Sequence, residues 1–301
     1  MKKIILPLAL LFIAGTVLCQ NPRMLKDVFP GSTGSSIQQI VKTSNYTFFN
    51  AEDADADTDR GLYRTDGTPA GTIKLNLDYR LVTPGYVSTK ADKLTALEDK
   101  VIFAGDNFAP GYGEVWASDG TQAGTIALER FQPTVTTTRG PVFEMAALNG
   151  YVYYGVAATN NKTQLRRTDG TAAGTTLVYE FSSYTTAPEI GLLKNINGIL
   201  YFNLYDSYGG GNDMTWRSDG TAAGTYMLRD LGTEYFAMGF FMEPVNGSIC
   251  FMTGKVSNNN TVLFKTDGTP AGTVPVYEFN GVYNNIEECN FNNRFLKNQI
   301  T

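Results

Sequence analysis

Five aspartates are the first candidates for chemistry: Asp66, Asp119, Asp169, Asp219 and Asp267. A carboxylate can serve as a general base, a nucleophile or a metal ligand. Each of these five, however, opens the same phrase, Asp-Gly-Thr-x-Ala-Gly-Thr, as in Asp66-Gly67-Thr68-Pro69-Ala70-Gly71-Thr72, and the copies start 53, 50, 50 and 48 residues apart. A catalytic carboxylate is needed once, whereas a carboxylate needed in every unit belongs to the architecture of the unit. Aspartate, glycine and threonine are turn formers, through local side-chain to backbone hydrogen bonds and positive φ. The five aspartates are therefore expected to close turns.

Other chemistry is sparse. The chain has no histidine, which excludes histidine triads, histidine-ligated zinc and histidine general bases. A carboxylate pair is the remaining catalytic option, and nothing selects one pair among 29 acidic residues. Asp53, Asp55 and Asp57 alternate along the acidic run 52–59, a spacing that could offer several oxygens to Ca2+. Thr58 and Arg64 stand where a calcium loop of the EF-hand type needs glycine and glutamate, so a solvated acidic loop is the favoured reading and a calcium site the alternative.

The elements that carry these residues read as β-hairpins. Strand-like segments flank each phrase: Leu62–Thr65, Val115–Ser118, Leu165–Thr168, Thr215–Ser218 and Leu263–Thr266 before it, and segments beginning at Ile73, Ile126, Thr176, Tyr226 and Val274 after it. A second turn lies about twenty residues earlier in each unit. Asn149-Gly150, Asn197-Gly198 and Asn246-Gly247 split apolar runs, the strongest short hairpin signal. Ser44-Asn45 and Glu98-Asp99 fill the same slot in the first two units. Four strands in a unit of about fifty residues suit a β-propeller blade.

Glu114-Val115-Trp116-Ala117-Ser118-Asp119-Gly120-Thr121 resembles the E-L-W-x-x-D-G-T repeat of secreted bacterial surface proteins, and Met24–Ser32 is similar to the segment between repeats in that family. The resemblance spans nearly all of residues 20–301. It implies an exported β-propeller-like protein of the cell surface. The tryptophan position departs to Tyr63, Arg166 and Phe264 in three copies. The phrase also resembles the sialidase Asp-box, a structural hairpin, and that likeness carries no sialidase activity with it.

Residues 1–19 have the form of a secretory signal peptide: Lys2 and Lys3, an apolar stretch from Ile4 to Val17, and a cleavage point at Cys19-Gln20. Leu18 stands where lipidation of Cys19 would want a small residue. Residues 20–301 are then one repeat domain, with no membrane span expected. Removal of Lys2 and Lys3 shifts the net charge from −5 to −7, which argues against nucleic acid as a partner. Cys250 and Cys289 could pair after export, although buried free thiols are slightly preferred.

The expected fold is all-β: a β-propeller of five motif-bearing four-stranded blades plus a partial closing sheet. In that closing sheet a strand around Met24–Val28 pairs with a hairpin over 286–291 and 294–300 that reads as the start of a sixth unit. Both recurrent turns fall at one end of the molecule. The other end carries connections that differ between units and present Tyr112, Asn160, Asn161, Tyr205, Tyr208, Asn212 and Asn259. Flat apolar rings beside amide donors and acceptors suit a glycan or a protein surface. The functional expectation is a secreted, non-catalytic binding or adhesion module, without a cofactor unless Ca2+ binds; the alternative is a carboxylate-dependent glycoside hydrolase on the same scaffold.

Overall fold

The computed structural model describes residues 24–30, 34–52, 61–75, 90–107, 112–131, 142–158, 162–181, 188–205 and 213–281. Among the described residues twenty strands form five sheets. Blade one holds β1 (Ile40–Lys42), β2 (Thr47–Ala51), β3 (Gly61–Thr65) and β4 (Ile73–Leu75). Blade two holds β5 (Lys90–Leu97), β6 (Lys100–Asn107), β7 (Tyr112–Ser118) and β8 (Ile126–Phe131). Blade three holds β9 (Val142–Leu148), β10 (Tyr151–Ala157), β11 (Thr163–Thr168) and β12 (Thr176–Phe181). Blade four holds β13 (Glu189–Ile196), β14 (Ile199–Tyr205), β15 (Met214–Ser218) and β16 (Tyr226–Asp230). Blade five holds β17 (Tyr235–Val245), β18 (Ser248–Lys255), β19 (Thr261–Thr266) and β20 (Val274–Phe279).

Every sheet is an antiparallel meander in chain order. First strands of successive blades adjoin one another, β1 on β5, β5 on β9, β9 on β13 and β13 on β17, so they are the inner strands and the fourth strands lie outermost. That is the layout of a five-bladed β-propeller.

Each internal blade is sandwiched between two others, and its middle strands are buried on both faces. β14 shows this: Leu200, Tyr201, Phe202, Asn203 and Leu204 are all buried, without the alternation of a half-exposed strand. Four apolar clusters fill the gaps between blades one and two, two and three, three and four, and four and five. Fully buried Phe103, Phe202 and Leu200 each contribute roughly 2 kcal/mol by removal from water.

The expected turns between first and second strands are present. Asn149 and Gly150 both take positive φ (49° and 77°), as do Asn197 with Gly198 and Asn246 with Gly247, the conformation that favours Asn-Gly in two-residue hairpins. The expected N-terminal strand is not: residues 24–28 form no strand among the described residues. They are held instead by side chains, because Lys26 Nζ donates to the Thr72 carbonyl at 2.7 Å and Val28 packs on Phe49, Ala51 and Tyr63 of blade one. Its expected partner, 286–300, lies outside the described residues, as do the signal segment, Asp53, Asp55, Asp57 and Cys289. Cys250 is a buried free thiol whose pKa burial pushes up to about 11. No helix among the described residues is long and apolar enough to cross a membrane.

Candidate binding face

The five aspartates are consumed within their turns. Asp169 Oδ1 accepts from Thr171 N at 2.9 Å and from Thr171 Oγ1 at 2.6 Å; Thr171 Oγ1 in turn accepts from Gly174 N, and Thr175 Oγ1 donates to the Thr171 carbonyl. The same four bonds recur at Asp66, Asp119, Asp219 and Asp267. The threonine hydroxyl holds the carboxyls of Asp66, Asp169, Asp219 and Asp267 below their ordinary range.

Both glycines of the phrase are explained, for different reasons. The first has positive φ, 82° to 93° across the five copies, which favours glycine. The second does not need positive φ, contrary to the expectation from turn composition. A Cβ at Gly174 would instead lie 2.0–2.2 Å from the Asp169 carboxylate, and the clash recurs at Gly71, Gly124, Gly224 and Gly272.

The structure also adds an eighth member that the sequence pattern left unassigned. Thr65, Ser118, Thr168, Ser218 and Thr266 each precede the aspartate, accept from the first glycine's N–H and share a hydroxyl contact of 2.7–2.8 Å with the last threonine. The alternation of serine and threonine at that one position was the available signal.

These turns also latch blade to blade through the first glycine. Arg64 Nε donates to the Gly120 carbonyl at 2.8 Å, Tyr153 Oη to Gly220 at 3.4 Å, and Tyr226 Oη to Gly268 at 2.9 Å. The turn face is thus a structural device repeated five times.

The tryptophan position is interior. Trp116 stacks on Phe103, Trp216 on Phe202 and Phe264 on Phe251, each pair on the face toward the preceding blade, and Tyr63 stacks on Phe49 on the face that Val28 packs against. Its partner across the blade boundary is the residue two before the end of the buried outer-strand hydrophobe. Tyr179 meets Trp216 at 5.8 Å, and Arg229 lies over the Phe264 ring at 5.9 Å. At the boundary between blades two and three Glu129 takes Arg166 in a two-pronged ion pair, Nε to Oε2 at 2.9 Å and Nη2 to Oε1 at 2.7 Å, joined by Tyr154 Oη at 3.3 Å. A bulge opposite this position in blades two to five sets the aim of that outer-strand residue.

Glu114, two residues before Trp116, is buried. It accepts from Trp116 Nε1 at 3.0 Å and pairs with Arg130 at 2.9 Å, and burial raises its pKa despite both partners.

The opposite end is less uniform. Tyr205 closes β14 opposite Glu189 and is half-buried; its ring lies where a Cβ on Gly191 would be, 2.5 Å from Cε1. This tyrosine is therefore a packing residue at the edge of the face rather than a freely presented ring. Asn259 sits exposed at φ 58° in the loop between β18 and β19. Around it Lys255, Asn258 and Asn260 converge on Glu278, each at 2.8 Å, and these bonds press its pKa down to about 2. In blade three Lys162 and Gln164 hold Glu180 in the same manner. Tyr112 begins β7, its side chain lying outside the described residues together with Asn160, Asn161, Tyr208 and Asn212.

Along the inner strands Lys93 pairs with Glu144 at 3.5 Å and Lys194 with Glu243 at 2.5 Å, each pair spanning two blades. Among the described residues no three potential ligands gather as a metal site. Five blades thus offer a rigid frame, one end made of identical turns and the other of dissimilar loops.

No protein-family model matches the chain, and no curated protein matches it. Solved structures do. An exo-β-1,3-galactanase from Phanerochaete chrysosporium matches at 13% identity and a TM-score of 0.39, over 83% of this chain and 66% of that one. A puromycin hydrolase matches at 14% and 0.49, over 83% of this chain and 41% of the hydrolase. A GH43 β-1,3-galactosidase solved with galactodeoxynojirimycin matches at 8% and 0.37, over 82% and 93%. This chain thus spans about two thirds of the galactanase and less than half of the puromycin hydrolase. At such identities and scores the likeness says nothing of chemistry, and the propeller assignment stands on the strand order and blade contacts.

Proposed function

We propose that the protein is an exported, non-catalytic recognition module that meets an extracellular glycan or protein surface with its loop face. The observation that carries this reading is the contrast between the two ends. The turn end satisfies its polar groups internally in five equal copies and offers one repeated chemistry. The loop end joins second to third strands through 52–60, 108–111, 158–162, 206–213 and 256–260, segments of unequal length rich in Asn, Asp and Gly. Dissimilar loops on a rigid frame are where recognition is usually built. The resemblance to secreted surface proteins and the signal-like residues 1–19 support export.

The test is a glycan array run with the mature protein beside a panel of chromogenic glycosides. Binding without turnover is expected. Asn259→Gly, which removes an exposed amide and suits the positive φ, should weaken binding with no change in melting temperature. Turnover of any glycoside by the wild-type protein would replace this reading with the hydrolase.

A further inference from the structure

The three Asn-Gly turns that join first to second strands are alike in sequence and unlike in their surroundings. Each is a two-residue tip, since Leu148 pairs with Tyr151, Ile196 with Ile199 and Val245 with Ser248. Asn149, Asn197, Asn246 and the glycines that follow them are all exposed. A Cβ placed on Gly150, Gly198 or Gly247 would meet nothing within 4 Å. Glycine has no side chain to shield its own nitrogen, and that nitrogen lies one short ring away from the asparagine carboxamide. The three asparagines share nearly the same φ, 49° to 54°, so the backbone does not distinguish them.

The glycine nitrogens do. Gly198 N donates to Asn195 Oδ1 at 3.0 Å. Asn195 is itself pinned to the preceding blade, because its Nδ2 donates to the Ala147 carbonyl at 2.8 Å. The residue in the place of Asn195 is Ala147 in blade three and Pro244 in blade five, and neither side chain can accept a hydrogen bond. Gly150 N and Gly247 N have no partner among the described residues.

We infer that Asn149 and Asn246 are sites of spontaneous deamidation to aspartate and isoaspartate, and that Asn195 shields Asn197 from the same change. The reaction needs only water. The glycine nitrogen loses its proton to solvent base and forms a bond to the asparagine Cγ. The Cγ–Nδ2 bond breaks and ammonia leaves, which gives a five-membered imide. Water then opens either carbonyl of the ring, and opening at the main-chain carbonyl yields isoaspartate; nothing is oxidised or reduced. Ring closure requires the Asn–Gly peptide to rotate out of the tight turn, so its rate follows local opening, which is cheapest at exposed loop tips. At Asn197 the bond from Gly198 N must break as well, and the proton that has to leave is the one Asn195 holds. Isoaspartate adds a main-chain methylene to a turn that the register confines to two residues. Each event also adds a carboxylate to the end of the molecule that carries the five turn aspartates.

Incubation of the protein in mildly alkaline buffer, followed by peptide mass spectrometry with electron-transfer fragmentation, tests this. Asn149 and Asn246 should convert with isoaspartate among the products, while Asn197 lags by about fivefold or more, the factor that one net hydrogen bond supplies. Asn195→Ala should bring Asn197 up to the rate of Asn149. Ala147→Asn, at an exposed position, should slow Asn149. The ratio of rates within one sample is what is read, so a general loss of stability cannot imitate the effect. In urea the three rates should converge. Equal rates in the folded wild-type protein, or an Asn197 to Asn149 ratio unmoved by Asn195→Ala, overturns the inference. So does an order of rates that persists in urea, because local sequence would then be its cause.

Discussion

Replacement of Gly174 by alanine isolates the interaction that gives the repeated phrase its form. The added Cβ would lie 2.0 Å from Asp169 Oδ1 and 2.1 Å from its carboxyl carbon, far inside van der Waals contact, so the carboxylate must leave. Departure breaks two bonds, from Thr171 N and Thr171 Oγ1. The turn is exposed and water replaces part of what is lost, so about 1 kcal/mol per bond, or about 2 kcal/mol in all, is expected. In an Asp169→Ala background the space is empty, and Gly174→Ala should be neutral or stabilising by up to about 0.5 kcal/mol through the unfolded chain. The two substitutions should therefore couple by about 2 kcal/mol in a double-mutant cycle. Urea unfolding of the four proteins, read from the two tryptophans, measures the coupling. Equal costs of Gly174→Ala with and without Asp169 would refute the steric account and return the glycine to a backbone role.

Three further outcomes follow from the same contacts. The lowered carboxyl pKa values of Asp66, Asp169, Asp219, Asp267 and Glu278 stabilise the fold above the unfolded carboxylate value of about 4, and that stabilisation is lost as pH falls through the lower folded values. The urea midpoint should thus hold from pH 7 to pH 5 and drop below pH 4, with Glu114, whose pKa is raised, opposing weakly; a midpoint unchanged down to pH 3 would contradict the assignment. Tyr205→Ala should cost about 2 kcal/mol by uncovering Gly191, a half-buried version of the usual aromatic truncation, and an unchanged melting curve would return this tyrosine to the binding face. Arg166→Ala should cost about 2 kcal/mol, since Glu129 and the buried Tyr154 hydroxyl lose a charged partner; a thermal melt within error of wild type would show that water replaces the pair.

The sequence made the blades legible because their strongest constraints are local. Asn149-Gly150 and its two copies declare hairpins with positive φ, and the Asp-Gly-Thr phrase declares its turn with every bond inside eight residues. What could not be read was side-chain contact, whether inside a turn, between strands of one blade or across a blade boundary. The carboxylate over Gly174 is a contact across five residues in a conformation that composition does not encode. Tyr205 reads as a surface ring until Gly191, on another strand, is seen beneath it. The loop face was legible only as variety, since its connections differ in length and composition from blade to blade.

The departures at the tryptophan position are the sharpest example. As a list, Trp116, Arg166, Trp216 and Phe264 look like decay of a motif. Across the blade boundary three of them are matched choices: Glu129 with Arg166, Tyr179 with Trp216, Arg229 with Phe264. An ion pair, an aromatic pair and a cation over a ring solve one packing problem in three chemistries, each partner lying in the preceding repeat. The signal was available at fixed spacing, four residues after the last threonine of one phrase and three before the aspartate of the next. It follows that the pair can be exchanged as a unit. Arg166→Trp alone should destabilise by stranding Glu129, and Glu129→Tyr alone by stranding Arg166, whereas the two together rebuild the Tyr179–Trp216 contact one blade earlier. The double variant should unfold at a higher urea concentration than either single variant; additive losses would mean that these positions are independent and that the matching is coincidence.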